Sequence, residues 1–394
     1  MINLKLIPVF NGSASPVAID EAYVRAFFGK LNIEGGLRKL SWGKADSFGP
    51  LDVINPLDYT DLSSLSDPQK MKIPRPLLHL SWNMGFTGII SNSKFEAVFV
   101  PWFEGHRFAS SGRWAPGQIS TLPATVADSI ASGFSLPDIE RQRIENALHE
   151  WVGSGVIDGF YPDTKKLEYI QTGLRFTASL GSSDLGIQCY YGRLPRPALS
   201  LSASPGFYSG PGSSIDTGKI NIGIAYNSYH QAGIDFARVI SGFNFRAEAG
   251  ANITGDTDGT DGSIYNPALF WCLGFDRDLF LGINANVQGS GNIRLFYDKI
   301  GSSPLVDTEA ENKITSTRIT LILSKKFFRD ELEIKVKGLW GIEDSDFLII
   351  PGILWSKNSV SAELSAGFFG GKKKGELGQY RDNSYVKAVL GYKF

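Results

Sequence analysis

Apolar and polar side chains alternate residue by residue in many segments of this 394-residue chain. In residues 243–254, the odd positions from Phe243 to Ile253 are all apolar, and the even positions are polar or glycine. Residues 331–340, 360–368 and 385–394 repeat the pattern. Because successive side chains of a strand point to opposite faces, each segment has one apolar and one wetter face. The pattern predicts an all-β protein.

The connections between these strands alternate between very short and long from residue 218 onward. The short ones lie near residues 241–242, 276–277, 328–330 and 357–358, and the long polar ones are 255–263, 301–312 and 370–383. Short turns at one end and long loops at the other are typical of a bacterial outer-membrane barrel, whereas a soluble all-β surface protein has no reason to keep that order. We therefore predict a transmembrane antiparallel β-barrel of about sixteen strands, with fourteen or eighteen as alternatives.

No apolar run approaches the roughly 18 residues that a membrane helix needs, so any membrane span must be made of strands. The predicted strands are 2–9, 19–29, 31–42, 74–86, 92–103, 166–179, 184–194, 217–240, 243–254, 265–276, 279–298, 313–326, 331–342, 346–356, 359–370 and 383–394. The long element 217–240 is the weak point of this count. A break near Asn227 would reverse the direction of every strand before it.

Two insertions interrupt the single predicted barrel of residues 1–394. Residues 43–72 are rich in Asp, Pro and Ser and are predicted to be an outer loop. Residues 104–165 form a second outer loop with a helix at 135–152, for which Ser135 is the expected cap. Its apolar stripe consists of Ile144, Ala147, Leu148 and Trp151. This helix either narrows the barrel mouth or only caps its own loop.

Composition excludes several classes of protein. The net charge is −1 and no long basic block occurs, so we predict no nucleic-acid partner. The four histidines lie in no nucleophile or zinc motif, so we predict no enzyme, no metal and no cofactor. Cys189 and Cys272 fall in separate strands, and no disulfide is inferred. Met1 leads straight into a strand-like segment, which we interpret as the start of a mature chain.

The amino-terminal part carries the most distinctive motifs. They are E-A-Y-x-R at 21–25, R-K-L-S-W-G-x-A-D at 38–46 and P-L-D-V-I-N-P-L-D at 50–58. Over about residues 20–105 the chain resembles a family of uncharacterised Gram-negative outer-membrane barrels, distantly grouped with alginate-export and phosphate-selective porins. The resemblance implies an integral protein of the bacterial outer membrane that passes small or hydrophobic molecules. It supplies no catalytic residues.

Charged side chains on the inward faces are candidates for lining a pore. The predicted lining residues are Glu21, Arg25, Glu34, Arg38, Trp42, Arg175, Arg246, Glu248, Arg318, Lys335 and Lys337. Rings of charge set pore selectivity, and the basic excess favours anionic solutes. Alternatively, neighbouring Arg and Glu side chains pair across adjacent strands and only fill the lumen.

The loop that follows the third strand supplies Asp46, Asp52, Asn55 and Asp58 as candidate constriction residues. The alternative is that these side chains only fix the loop. At the other end of the chain, Leu390, Tyr392 and Phe394 form the aromatic-ended closing strand by which the barrel assembly machinery recognises such proteins.

The sequence thus predicts an outer-membrane porin or passive transporter that admits or exports small solutes through a loop-constricted lumen. The alternative is a non-conducting structural or interaction barrel of the outer membrane. The expected partners are outer-membrane lipid, the assembly machinery and a small-molecule solute, and the oligomeric state stays open.

Overall fold

The computed structural model describes residues 2–8, 17–133, 135–153, 161–204, 216, 219–302, 307–310 and 312–392. The strands are β1 (Ile2–Pro8), β2 (Val17–Phe28), β3 (Leu31–Arg38), β4 (Asp58–Tyr59), β5 (Arg75–Thr87), β6 (Ile90–Val100), β7 (Arg107–Phe108), β8 (Gln171–Leu180), β9 (Ser183–Arg193), β10 (Ala198–Ala203), β11 (Ile220–Ala225), β12 (Ser228–Ile240), β13 (Phe243–Thr254), β14 (Ala268–Asp278), β15 (Ile283–Arg294), β16 (Thr315–Phe327), β17 (Leu332–Gly341), β18 (Asp346–Lys357), β19 (Val360–Gly371) and β20 (Tyr385–Tyr392). The α-helices are α1 (Pro68–Met71), α2 (Gly117–Gly133) and α3 (Asp138–Gly153).

Sixteen of the strands form one antiparallel sheet in sequence order, and β4, β7, β10 and β11 lie outside it. The sheet curves into a barrel around residues 39–74, the connection from β3 to β5. Within this connection, the Asn55 amide donates to the Arg38 carbonyl of β3, and the Ser63 hydroxyl lies 3.0 Å from Lys387 Nζ of β20. One short segment can contact strands near both ends of a sixteen-stranded sheet only if the sheet wraps around it. The predicted fold and strand number are confirmed.

The two faces of the sheet are chemically opposite, as the alternation predicts. On β13, Ile253 is exposed and points outward, whereas Glu248 is buried and points inward. On β20, Val386 and Leu390 are exposed by 77% and 85%. The outer surface of the barrel is therefore apolar, and the polar side chains turn toward its interior.

Tight turns close one end of the barrel. They span residues 29–30, 88–89, 181–182, 241–242, 279–282, 328–331 and 358–359. At Ser241 and Gly242, both φ angles are positive (51° and 80°), as expected for the two-residue turns that match the twist of antiparallel strands. The long connections all lie at the opposite end, although residues 342–345 make one short link there.

The predicted strand 217–240 is wrong as a single element. The chain leaves the barrel at Tyr226–Asn227, and β11 pairs with β10 in a separate two-stranded sheet. Asn227 fixes this break, because its side chain accepts from the Tyr265 amide at 3.1 Å and donates to the Ser263 carbonyl. The hairpin belongs to one long connection between β9 and β12, so the direction of the earlier strands is unchanged.

The second insertion contains two helices rather than one. The predicted helix begins at Asp138, not at Ser135, because Ser135 has a left-handed φ of 51° and Pro137 O accepts the amides of Glu140 and Arg141. Helix α2 was missed, since Pro, Gly, Ser and Thr lower the helix propensity of its sequence. The two helices pack together through buried side chains such as Ile130 and Ile144.

Among the described helices, none has the length and apolar character required to span a membrane. The predicted assembly residues Leu390 and Tyr392 lie on the outer face of β20, and both are exposed. Phe394 lies outside the described residues.

Candidate functional site

Residues 39–74, here called the plug, occupy the barrel interior. Asn55 ties its two ends together. The Asn55 side chain accepts from the Leu40 amide at 2.8 Å and donates to the carbonyls of Arg38 and Ile73 at 3.0 and 2.9 Å. An amide side chain can donate and accept at once, which suits a site where three backbone groups converge. The predicted outer loop is therefore folded back into the lumen.

A buried ion pair stabilises the same part of the plug. Lys72 Nζ lies 2.6 Å from Asp52 Oδ2 and donates to the Leu40 carbonyl at 3.1 Å. Burial raises the pKa of Asp52, and the Lys72 ammonium acts in the opposite direction. A buried charge is tolerated only when it is paired and hydrogen-bonded, as both groups are here. Asp52 and Asn55 thus fix the plug, in agreement with the alternative interpretation of these residues.

Glu248, on β13, holds the middle of the plug. Its carboxylate accepts the backbone amides of Lys44, Ala45 and Leu51 at 2.5, 2.7 and 3.2 Å. Bonds from backbone N–H groups to a carboxylate are charge-assisted and stronger than neutral ones. This predicted lining residue therefore binds protein backbone rather than facing open lumen.

Three glutamines extend this contact along neighbouring strands. Gln288 of β15 accepts the amides of Asp46 and Ser47 at 2.9 and 3.1 Å and donates back to the Ser47 carbonyl. Gln188 of β9 donates to Leu51 O at 2.9 Å, and Gln231 of β12 donates to Pro50 O at 3.1 Å. Sequence reasoning missed these glutamines as site residues. Their inward positions on amphipathic strands were the available signal.

The opposite wall holds the plug by apolar contact. The buried residues of this cluster are Leu62, Leu65 and Met71 from the plug with Leu339, Leu348, Ile350, Phe369, Leu377, Tyr380 and Tyr385 from β17 to β20 and their connections. Lys337 lies beside this cluster, with Nζ 3.2 Å from both Ser47 Oγ and Leu65 O. Polar bonds on one side and apolar burial on the other leave the plug fixed across the lumen.

A charge cluster on β2, β3, β5 and β6 lies next to the two ends of the plug. Arg25 and Glu34 face each other in the strand register and form an ion pair, and Arg38 pairs with the same carboxylate. The ring nitrogens of His79 lie 3.0 Å from Glu34 and 3.1 Å from Glu96. The predicted pairing of Glu and Arg across adjacent strands is present. His79 also belongs to this cluster, and no sequence motif predicted it.

The remaining predicted lining residues point inward, but nearly all of them have a protein partner. The ion pairs are Arg175 with Asp235 at 2.6 Å, Arg246 with Asp46 at 2.5 Å and Asp276 at 2.6 Å, Arg318 with Glu376, and Lys335 with Glu333 at 3.7 Å. Glu21 accepts the Lys39 amide at 3.0 Å. Within the described residues, these charges fill the lumen in pairs rather than forming a single ring.

Two placements differ from the predicted ones. Trp42 does not lie on a strand, since β3 ends at Arg38; its buried ring packs in the plug against Gly173 and Tyr190. A Cβ at Gly173 would meet this ring at 2.7 Å, so a glycine is needed there. Asp58 caps a turn by accepting the Thr60 amide at 2.9 Å.

At the end with the long connections, a group of aromatic rings, here called the aromatic cluster, lies above the plug. The Tyr59 and Phe108 rings stack with centroids 5.4 Å apart, where β4 of the plug pairs in parallel with β7 of the second insertion. Tyr265 lies on another connection, and Arg196 stands 5.2 Å from its ring centroid. Among the described residues, no group of three His, Cys, Asp or Glu side chains lies close enough to hold a metal ion.

No protein-family model and no curated protein matches this chain. Solved structures do match it. One is Wzi of Escherichia coli, described as an outer membrane protein involved in group 1 capsule assembly and as a carbohydrate-binding β-barrel. The match covers 98% of this chain and 72% of that chain, with 12% identity and a TM-score of 0.45. At this level of similarity, residues of one barrel cannot be equated with residues of the other.

Proposed function

We propose that this protein is an integral β-barrel of the bacterial outer membrane. Its exposed apolar face supports the proposal, as do aromatic side chains beside the tight turns. Phe28, Phe86, Phe280 and Phe328 are exposed by 63%, 73%, 79% and 75%. Aromatic residues in such a row match the girdle that membrane barrels carry at the lipid–water boundary. Strands such as β6, β9 and β14, with 11 residues each, are long enough to cross a bilayer when tilted.

We further propose that the barrel is an interaction barrel rather than an open porin. The plug carries this proposal, because its backbone is bonded to β9, β12, β13 and β15 and its apolar side chains pack on the opposite wall. A solute would have to break these bonds together to pass. The aromatic cluster above the plug is then the surface that binds a partner or ligand.

Passive transport is the second candidate function. Water-exposed charges on inward strand positions favour it, since the side chains of Lys94 and Lys335 are 38% and 49% exposed. A hydrated path lined by such charges would conduct if the plug moved aside. The two functions therefore differ in whether the plug leaves the lumen.

Planar-bilayer conductance of the purified protein tests the choice. We expect few or no channels from the wild-type barrel, and large steady channels from a variant in which residues 44–66 are replaced by a short Gly-Ser linker. Both proteins should shift in migration on a cold gel compared with a heated one, as closed membrane barrels do. Steady channels from the wild type would instead establish the transporter. A deletion variant that keeps the gel shift but stays silent would show that the plug does not close the lumen.

A further inference from the structure

Within the part of the chain that the structure describes, three hydrogen-bond donors of the aromatic cluster above the plug are unused. They are the guanidinium of Arg196, the Nε2–H of His106 and the hydroxyl of Tyr59, and none makes a hydrogen bond or ion pair with any described residue. The three come from different parts of the chain: the β9–β12 connection, the second insertion and the plug. Tyr59 and His106 are half-buried and Arg196 is exposed, so a ligand can reach all three. A set of unused donors beside a guanidinium suits a ligand that brings acceptor oxygens.

Backbone contacts hold His106 in place. Its amide donates to the Pro195 carbonyl at 2.8 Å, and its Nδ1 accepts the Leu57 amide at 2.8 Å. Because Nδ1 is the acceptor, Nε2 carries the proton and can donate. The Tyr59 ring meets the His106 ring edge-on, with centroids 5.3 Å apart and planes at 87°.

Arg196 follows directly on Pro195, which bonds His106, and its guanidinium lies over the Tyr265 ring. The Tyr265 hydroxyl donates to Pro197 O at 2.8 Å and so fixes the turn that carries the arginine. Burial lowers the pKa of His106 to about 3, and the nearby Arg196 charge adds to the shift. Burial also raises the pKa of Tyr59 to about 12. Both groups are therefore neutral donors beside a permanent cation.

We propose that Arg196, His106 and Tyr59 form a binding site for an oxyanion, namely a carboxylate or phosphate group on a small molecule. The nearby carboxylate of Glu376 is already paired with Arg318. Phe108 is 38% exposed and adds an apolar surface beside them, which suits an anion carried on a ring. The site deepens the proposed interaction function, and it does not depend on whether the lumen conducts.

The test uses the full-length protein in detergent micelles. Binding of acetate, glucuronate and glucose is measured by saturation-transfer NMR, and binding of inorganic phosphate by phosphorus line broadening. The variants are Arg196→Gln and Tyr59→Phe, which removes the hydroxyl but keeps the ring stack. Arg277→Gln is the matched control, because Arg277 lies 4.4 Å over the Phe243 ring at the end with the tight turns.

We expect glucuronate and at least one of the two simple anions to bind the wild type, and glucose not to bind. Arg196→Gln should weaken binding by about tenfold or more and Tyr59→Phe by about threefold, whereas Arg277→Gln changes nothing. Binding of phosphate alone, or of both phosphate and acetate, would show which anion the site prefers.

Equal binding of glucose and glucuronate would overturn the proposal, as would equal losses in Arg196→Gln and Arg277→Gln. Absence of anion binding by wild-type protein that still shows its gel shift would also overturn it. That last result leaves the conductance test untouched, so failure of the site and failure of the proposed function can be told apart.

Discussion

The barrel carries two large insertions at the same end, and they fold in opposite ways. The plug enters the lumen and bonds to the inward side chains of the strands. The helices α2 and α3 of the second insertion pack mainly on each other. Among the described residues, contacts with the barrel connections include the Arg113 guanidinium with Ser384 O at 3.0 Å and the Gly117 amide with Gln379 at 2.8 Å.

Backbone hydrogen bonding explains the difference. A helix satisfies its own amides and carbonyls, so it needs only an apolar partner surface, in which Ile130 of α2 and Ile144 of α3 are buried. The plug has little regular structure, and its buried backbone needs partners from outside. Glu248, Gln188 and Gln288 provide them. An irregular segment can thus fill a barrel only when the strands supply matching side chains.

The largest expected effect comes from Glu248→Ala, which leaves the amides of Lys44, Ala45 and Leu51 without their acceptor. We expect local destabilisation of about 3–9 kcal/mol, because each of the three buried unpaired groups costs about 1–3 kcal/mol. Hydrogen exchange of these three amides should rise at least about 100-fold while exchange in the barrel strands stays unchanged. Glu333→Ala is the control, since the one ion pair of Glu333 among the described residues is with Lys335, at 3.7 Å. Unchanged exchange in Glu248→Ala would show that this carboxylate does not hold the plug.

Two variants that create a cavity test whether the two insertions are stabilised independently. Leu339→Ala and Ile144→Ala each remove a fully buried side chain, at 0% and 1% exposure, and should cost about 2–4 kcal/mol. Exchange should rise in residues 62–71 for Leu339→Ala and in α2 for Ile144→Ala. Leu364→Ala, at an outward position 54% exposed, serves as the control. A rise in plug exchange caused by Ile144→Ala would mean that the two insertions are coupled.

The smallest effect concerns pH. The Arg318 guanidinium holds the pKa of Glu376 below its ordinary value of 4.5, against the opposing effect of burial. A lowered carboxyl pKa stabilises the folded form above the ordinary value, and this contribution is lost as the pH falls through the lowered one. Exchange in residues 372–384 should therefore rise modestly below about pH 4. Glu376→Gln should remove that pH dependence, and a transition retained in this variant would assign it to another group.

Much of the fold was accessible from the sequence. The alternation in 243–254 and 385–392 predicted both strands and the faces they expose, and the Arg25–Glu34 pair was expected from inward charges on adjacent strands. For Asp52 and Asn55, predicted as constriction residues, a fixed loop was the alternative. The path of that loop was not predicted, because residues 39–74 mix polar and apolar side chains without a regular period, and composition cannot tell a solvated loop from a buried one.

The sequence by itself determined the local features: which residues form strands, which faces are apolar, and where tight turns such as Ser241–Gly242 occur. These depend on neighbours along the chain and on the period of two. Only the tertiary structure decided that the lumen is filled. Glu248 lies about 200 residues beyond the amides it binds, with a separation of 204 from Lys44. Such a pairing depends on barrel closure, and no local pattern encodes it.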